Sequence, residues 1–137
     1  MMTPEEIHEA FISTNFNILK NDIFIDSITL KIGEIHIFPA NIRSWAYITA
    51  WNPLPTILAF EENVSRNNNL LSDLTNRGYK CHLGKGVSAD GEWEEESFFI
   101  ENINKGTALE LAIKYGQMAF VYGELDKRAE LIYTRLI

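Results

Sequence analysis

The chain has 137 residues, 46% of them hydrophobic and 23% charged, which suits a soluble protein folding as one domain over residues 1–137 without staples. Its formal net charge of −7 argues against a protein that tracks nucleic-acid phosphates, which needs a basic surface. Cys81 is the sole cysteine, no apolar run approaches the ~20 residues of a membrane span, and "MMTPEEIHEAF" lacks the basic and apolar regions of a signal peptide, so a cytoplasmic protein with no membrane partner is expected.

Thr3, Pro4 and Glu6 spell a capped helix start, and Ile7, Ala10 and Phe11 give that helix an apolar face to about residue 13. From Ile23 to Phe38 the chain alternates, with Gly33 breaking the phase, which reads as two strands or one bulged strand. Trp45 to Trp51 is the next strand. It stops at Asn52-Pro53, because proline has no N–H to give a ladder. A helix is expected from about Glu61 to Arg77, ended by Gly78. "YKCHLG" reads as a strand, "GKGVSADG" as a glycine-rich hairpin loop, and "WEEESFFIE" as a strand again. Thr107 with Glu110 suggests a capping box for a helix that Gly116 ends, and "MAFVY" and "ELIYTRLI" close the chain as two strands.

From Trp45 onward this order is β-α-β-β-α-β plus one strand. The expected fold is therefore α+β: a ferredoxin-like split βαβ antiparallel sheet with two helices on one face, plus an N-terminal helix and strands. Residues 45–137 would form the core and residues 1–40 an extension packing on the sheet. Ala46, Ile48 and Ala50 suit the face under the helices, which turns Trp45, Tyr47, Thr49 and Trp51 to the other side. Such an aromatic stripe is costly to leave in water. Either the N-terminal segment covers it, or it serves as a homodimer interface or a ligand surface.

Four motifs, "AYITAWNP" (46–53), "ENVSRN" (62–67), "WEEESFF" (93–99) and "KYGQMAF" (114–120), stand in order across roughly residues 45 to 121. In this the chain resembles domain-of-unknown-function family 3293, a set of small bacterial proteins. It departs at Leu54, where the resemblance implies a small polar residue, and at Met118, where it implies asparagine. The family has no assigned activity, so the resemblance implies none here.

The expected topology carries all four motifs to the end of the sheet where the Trp45–Trp51 strand finishes. Asn52, Asn63, Arg66, Asn67, Glu94, Glu96 and Gln117 are thus the candidate ligand-binding residues. Asn63, Arg66 and Asn67 share a helical stripe with Leu70 and Leu74, so amides and a guanidinium face inward and need partners, for which Glu94 or Glu96 are the natural choice. The favoured reading is a non-catalytic binding or interaction module for a small polar ligand or a protein partner. The alternatives are a purely structural Arg66–glutamate network, or an enzyme with a glutamate base and Arg66 holding a small anionic substrate.

No specific chemistry is indicated. "GKGVS" lacks phosphate-loop spacing, Cys81 and His82 point to opposite faces of a strand, and His8 and His36 have no i+4 histidine. Asp90 and Glu94 to Glu96 are split between faces by alternation. Neither a metal nor a cofactor is expected, and the catalytic residues, if any, are not identified.

Overall fold

A computed structural model of the chain describes residues 3–21, 24, 26–39, 41–53 and 56–134. Its elements are α1 (Pro4–Ser13), β1 (Asn15–Ile18), β2 (Ile28–Leu30), β3 (Ser44–Ile48), α2 (Phe60–Asn76), β4 (Cys81–Val87), β5 (Glu94–Glu101), α3 (Lys105–Lys114), β6 (Ala119–Glu124) and β7 (Glu130–Tyr133). The strands form one sheet in the order β2-β1-β4-β5-β3-β6-β7, with every neighbouring pair antiparallel. Among the described residues no helix is long and apolar enough to cross a membrane.

Both faces of β3 are buried, each in a separate core. Ala46, Ile48 and Ala50 meet Leu70 and Leu74 of α2 and Leu111 of α3 in one core, so both helices cover the same face. Trp45 and Tyr47 enter the other with Phe99, Val121, Phe16 and Ile18. That second core requires the sheet to curl. After β2, the Gly33 N–H donates to the Ala129 carbonyl and the Ala129 N–H to the Glu34 carbonyl, both at 2.8 Å. With the Ile35–Arg128 bridge, these bonds join the chain leaving β2 to the chain entering β7, so the two edges of the sheet meet around the aromatic rings. Phe24 and Phe38 close over Phe99 at ring distances of 6.0 and 5.0 Å. Trp45 and Tyr47 keep only 3% and 4% of their surface exposed, so the curl covers both rings within the chain.

Several expectations need correction. β1, in a short polar stretch that turns Phe16 and Ile18 inward, was not foreseen, and the isoleucine-rich segment keeps, among its described residues, just β2 as a strand. Its start at Ile23, the Leu54 departure and residues 135–137 lie outside the described residues. Trp51 leaves the aromatic stripe altogether, and its ring meets Phe60 of α2 edge-on at 5.6 Å. The cap of α3 is Asn104, whose side-chain oxygen accepts the Thr107 N–H at 2.8 Å, so Thr107 sits inside the helix.

The largest correction concerns Gly84 and Gly86, which belong to β4 and not to a hairpin loop. They pair with Ser97 and Glu95 of β5. A Cβ on Gly84 would lie 2.5 Å from the Tyr47 hydroxyl, so glycine there admits the ring, whose hydroxyl donates to the Asn17 carbonyl. Gly123 does the same for Trp45, whose indole would lie 2.2 Å from an added Cβ. Gly86 is different, since its Cβ would meet nothing nearer than 3.9 Å. Glycine in a strand marks close approach of another group in the first two cases and open space in the third. Gly123→Ala should therefore lower stability by about 1–3 kcal/mol or more. Gly86→Ala should change it by less than about 1 kcal/mol. Urea unfolding of both variants tests the pair.

Candidate functional site

The end of β3 is held by side chains from α2. Beyond Ile48 the backbone leaves the ladder, and its polar groups need other partners. Asn67, 5% exposed, ties that backbone to β5: its oxygen accepts the Ala50 N–H at 2.8 Å and its amide donates to the Glu96 carbonyl at 2.9 Å. One turn earlier, Asn63 accepts the Asn52 N–H and donates to the Asn52 side-chain oxygen, both at 2.8 Å. Asn52 adopts φ of 42°, the left-handed region that asparagine tolerates better than most residues, and its side chain also accepts the Leu58 N–H at 2.9 Å. Arg66 Nε donates to the Ala50 carbonyl at 2.7 Å, and Nη2 donates to the Tyr115 carbonyl. Gln117 donates to that same carbonyl at 3.3 Å and to the Trp51 carbonyl at 3.2 Å.

Asn52, Asn63, Arg66, Asn67 and Gln117 thus stand together in one network. Glu94 and Glu96 do not join it through their side chains. Glu94 is exposed and pairs with Lys85 at 3.4 Å, while Glu96 contributes only its carbonyl, to Asn67 and to the Thr49 hydroxyl. The expected Arg66–glutamate pair is absent because backbone carbonyls at the strand end and at the end of α3 claim the guanidinium first.

Asn52 and Gln117 have a second role, as walls of a cavity on the opposite face of the sheet. It opens between α1 and the end of the curl and has a volume of about 170 Å³. α1 contributes Ile7, Ala10 and Phe11, and the far side is Trp93, Glu95 and Met118. A smaller chamber of about 60 Å³ continues inward, sharing Phe11, Thr14, Trp93, Glu95 and Gln117 and reaching Phe16, Tyr47, Ser97 and Gly86. The space exists because Gly86 places no side chain opposite Glu95.

Glu95 is the residue that sequence reasoning missed. Trp93, Glu95, Ser97 and Phe99 alternate with Glu94, Glu96, Phe98 and Ile100, and Phe98 and Ile100 lie under the helices. Glu95 therefore shares the inner face with Phe99, a phase that was readable from the strand. Among the described residues nothing hydrogen-bonds to its carboxyl or pairs with it. Although the residue keeps some surface, burial of the carboxyl pushes its pKa up to about 8. Burial also raises the pKa of the Tyr47 hydroxyl, with the Glu95 charge adding to that direction.

A second buried polar cluster lies elsewhere on the inner face. His82 Nε2 is 2.5 Å from Glu101 Oε2, and Asn21 Nδ2 is 2.8 Å from His82 Nδ1. Phe24 and Phe99 pack on the imidazole. Cys81, on the other face, is turned to the helices. Among the described residues no group of three or more His, Cys, Asp or Glu could hold a metal ion.

Residues 48–120 match the family model described as "Protein of unknown function (DUF3293)". The matched segment contains Gly86, Glu95 and Gln117, while α1 and β1, which close the cavity, lie outside it. No curated protein and no solved structure matches the chain.

Two measurements follow from these contacts. Arg66→Ala strands the Ala50 carbonyl and leaves the Tyr115 carbonyl only its longer bond from Gln117, which should cost about 1–3 kcal/mol, and Arg66→Lys should not restore it, since one ammonium lacks the guanidinium fork. Denaturant midpoints decide this. The second concerns pH. Glu95 holds its proton in the fold to about pH 8 but releases it near 4.5 when unfolded, so folding takes up a proton between those values. Stability should accordingly fall as pH rises from about 4.5 to about 8. Glu95→Gln should remove on the order of 1–3 kcal/mol of that decline, read from melting temperatures across the range.

Proposed function

The chain belongs to the DUF3293 family of proteins of unknown function, and we propose that it is a non-catalytic binding module whose ligand enters the cavity beneath α1. The observation that carries this reading is an apolar, partly enclosed space with a few convergent polar groups, Asn52, Glu95 and Gln117, on its wall. Its volume of about 170 Å³ is below the roughly 300–1,000 Å³ of drug-sized pockets, so the ligand is a small molecule. The polar network at the end of β3 is, in this reading, the frame that positions Asn52 and Gln117.

Catalysis has less support. The enzyme reading needs Arg66 as an anion anchor, and two of its donors are committed to carbonyls. Among the described residues Glu95 is the only carboxylate lining either chamber, and no His, Lys or Arg stands beside it as a partner in proton transfer. We further read β3–α2–β4–β5–α3–β6 as a ferredoxin-like core, on its strand order β4-β5-β3-β6 and its two helices on one face. The whole chain then acts as a single domain, and its one cysteine suits the cytoplasm.

The test is a fragment screen by heteronuclear NMR on the full chain and on Gly86→Leu, a change that fills the cavity from a position with room for a side chain. Fragments should shift the resonances of Phe11, Glu95 and Gln117, and Gly86→Leu should abolish those shifts. Fragments that perturb both proteins alike, or none that bind while the chain self-associates, would overturn the reading.

A further inference from the structure

We propose that the cavity takes an organic cation: a small amine with an apolar body, its ammonium on Glu95 and its body between Phe11 and Trp93. This inference rests on the cavity being a ligand site and names the class of ligand.

Three observations carry it. First, Glu95 is a carboxyl on the wall of a mostly apolar space without an intramolecular partner among the described residues, whereas buried or half-buried charges ordinarily find one. The nearest candidate in β4, Lys85, projects to the other face and pairs with Glu94. Second, among the described residues no Lys, Arg or His lines either chamber, so an anionic ligand would find no cation there to pair with. Third, Phe11, Phe16, Tyr47 and Trp93 surround the carboxyl, and aromatic faces attract cations. The net charge of −7 further favours the approach of a cation.

The proton balance is explicit. At neutral pH the empty site holds Glu95 mostly as the acid, because burial raises its pKa. An ammonium ligand stabilises the carboxylate, so the acid's proton leaves to solvent as the ion pair forms. One proton per ligand is released well below the pKa of the empty site, and affinity rises with pH until Glu95 is ionised without the ligand. The groups facing Glu95 leave that signal clean. α1 presents Ile7, Ala10 and Phe11, β4 presents Gly86, and the turn after α3 presents Gln117 and Met118. Thr14 and Phe16 face it from the N-terminal side, and Trp93 and Ser97 flank it on β5. Among the described residues of this lining only Tyr47 can titrate besides Glu95, and its hydroxyl is held protonated by burial. His8, Glu5 and Glu9 line the groove on the other side of α1.

The experiment is calorimetric titration of the full chain with three probes of one shape: 2-phenylethylamine, 2-phenylethanol and 3-phenylpropionate. At pH 8 the amine should bind at least tenfold more tightly than the alcohol, and the carboxylate should not bind. In Glu95→Gln the preference for the amine should vanish. At pH 7, buffers of different protonation heat should report proton release approaching one per amine. Equal binding of amine and alcohol, or a preference that survives Glu95→Gln, overturns the cation inference; if Gly86→Leu still abolishes that binding, the cavity reading stands. If no probe binds, or binding persists in Gly86→Leu, the cavity reading fails and takes the inference with it.

Discussion

Trp45 and Tyr47 have to leave water on the side of β3 that the helices do not cover, and the architecture follows from how the chain achieves this. A flat sheet with both helices on one face would expose two large rings beside Phe99 and Val121. Each ring contributes on the order of 2–3 kcal/mol when buried, a large fraction of the stability of a small domain. Curling the sheet until its edges meet at residues 33–35 and 128–129 encloses the rings without a third layer. Gly84 and Gly123 are the concessions that let them lie against neighbouring strands. The curl cannot close equally well along its length, because rings fill one part and Gly86 leaves the end empty. α1 lies across that end with none of its own residues fully buried.

The end of β3 meets a second constraint, the unpaired backbone of a strand that has left its ladder. α2 answers it with amides and a guanidinium on the same stripe that carries Leu70 and Leu74 deeper in. The three polar side chains on that stripe reach backbone groups from β3, from β5 and from the end of α3. This is why the stripe changes from polar to apolar along its length: its first turns pack against a strand end, and its later turns against the middle of a sheet. The arrangement also fixes Asn52 in its left-handed conformation, which turns the chain out of the sheet and sets the rim beside the cavity.

Much of this could be read from the residues. The helix of residues 61–77 was placed by its polar-to-apolar stripe and by Gly78, and α2 spans Phe60–Asn76. The assembly of Asn52, Asn63, Arg66, Asn67 and Gln117 at one end followed from alternating element directions. What failed was partner choice. Charge complementarity favoured glutamates for Arg66, but a carbonyl carries no signature in a sequence, and orphaned carbonyls appear only once the strand end is seen. Glycine misled for a similar reason. "GKGVSADG" has loop composition, and only the ring of Tyr47, distant in sequence, explains Gly84 inside a strand. β1 was missed because its alternation lasts only four residues, two of them asparagines that strands disfavour, and its pairing with β2 and β4 is a tertiary choice. Charge complementarity to Arg66 singles out Glu94 and Glu96 on the helix side, which leaves Glu95 on the inner face without a signal of that kind.

The contact between His8 and Tyr133, at 2.6 Å and 125 positions apart, has a consequence for how the protein comes into being. At about 5–20 residues per second of synthesis, the ribosome needs roughly 6–25 seconds to bring Tyr133 out after His8. Gly33 and Ala129, whose bond helps close the curl, are nearly as far apart. Until β4 and β6 emerge, Phe16, Ile18 and Leu30 lack most of their eventual neighbours, and until β7 is out α1 has no tyrosine to rest on. The curl can therefore close only when residues 128–133 reach the chain after β2, however early β1 and β2 have paired.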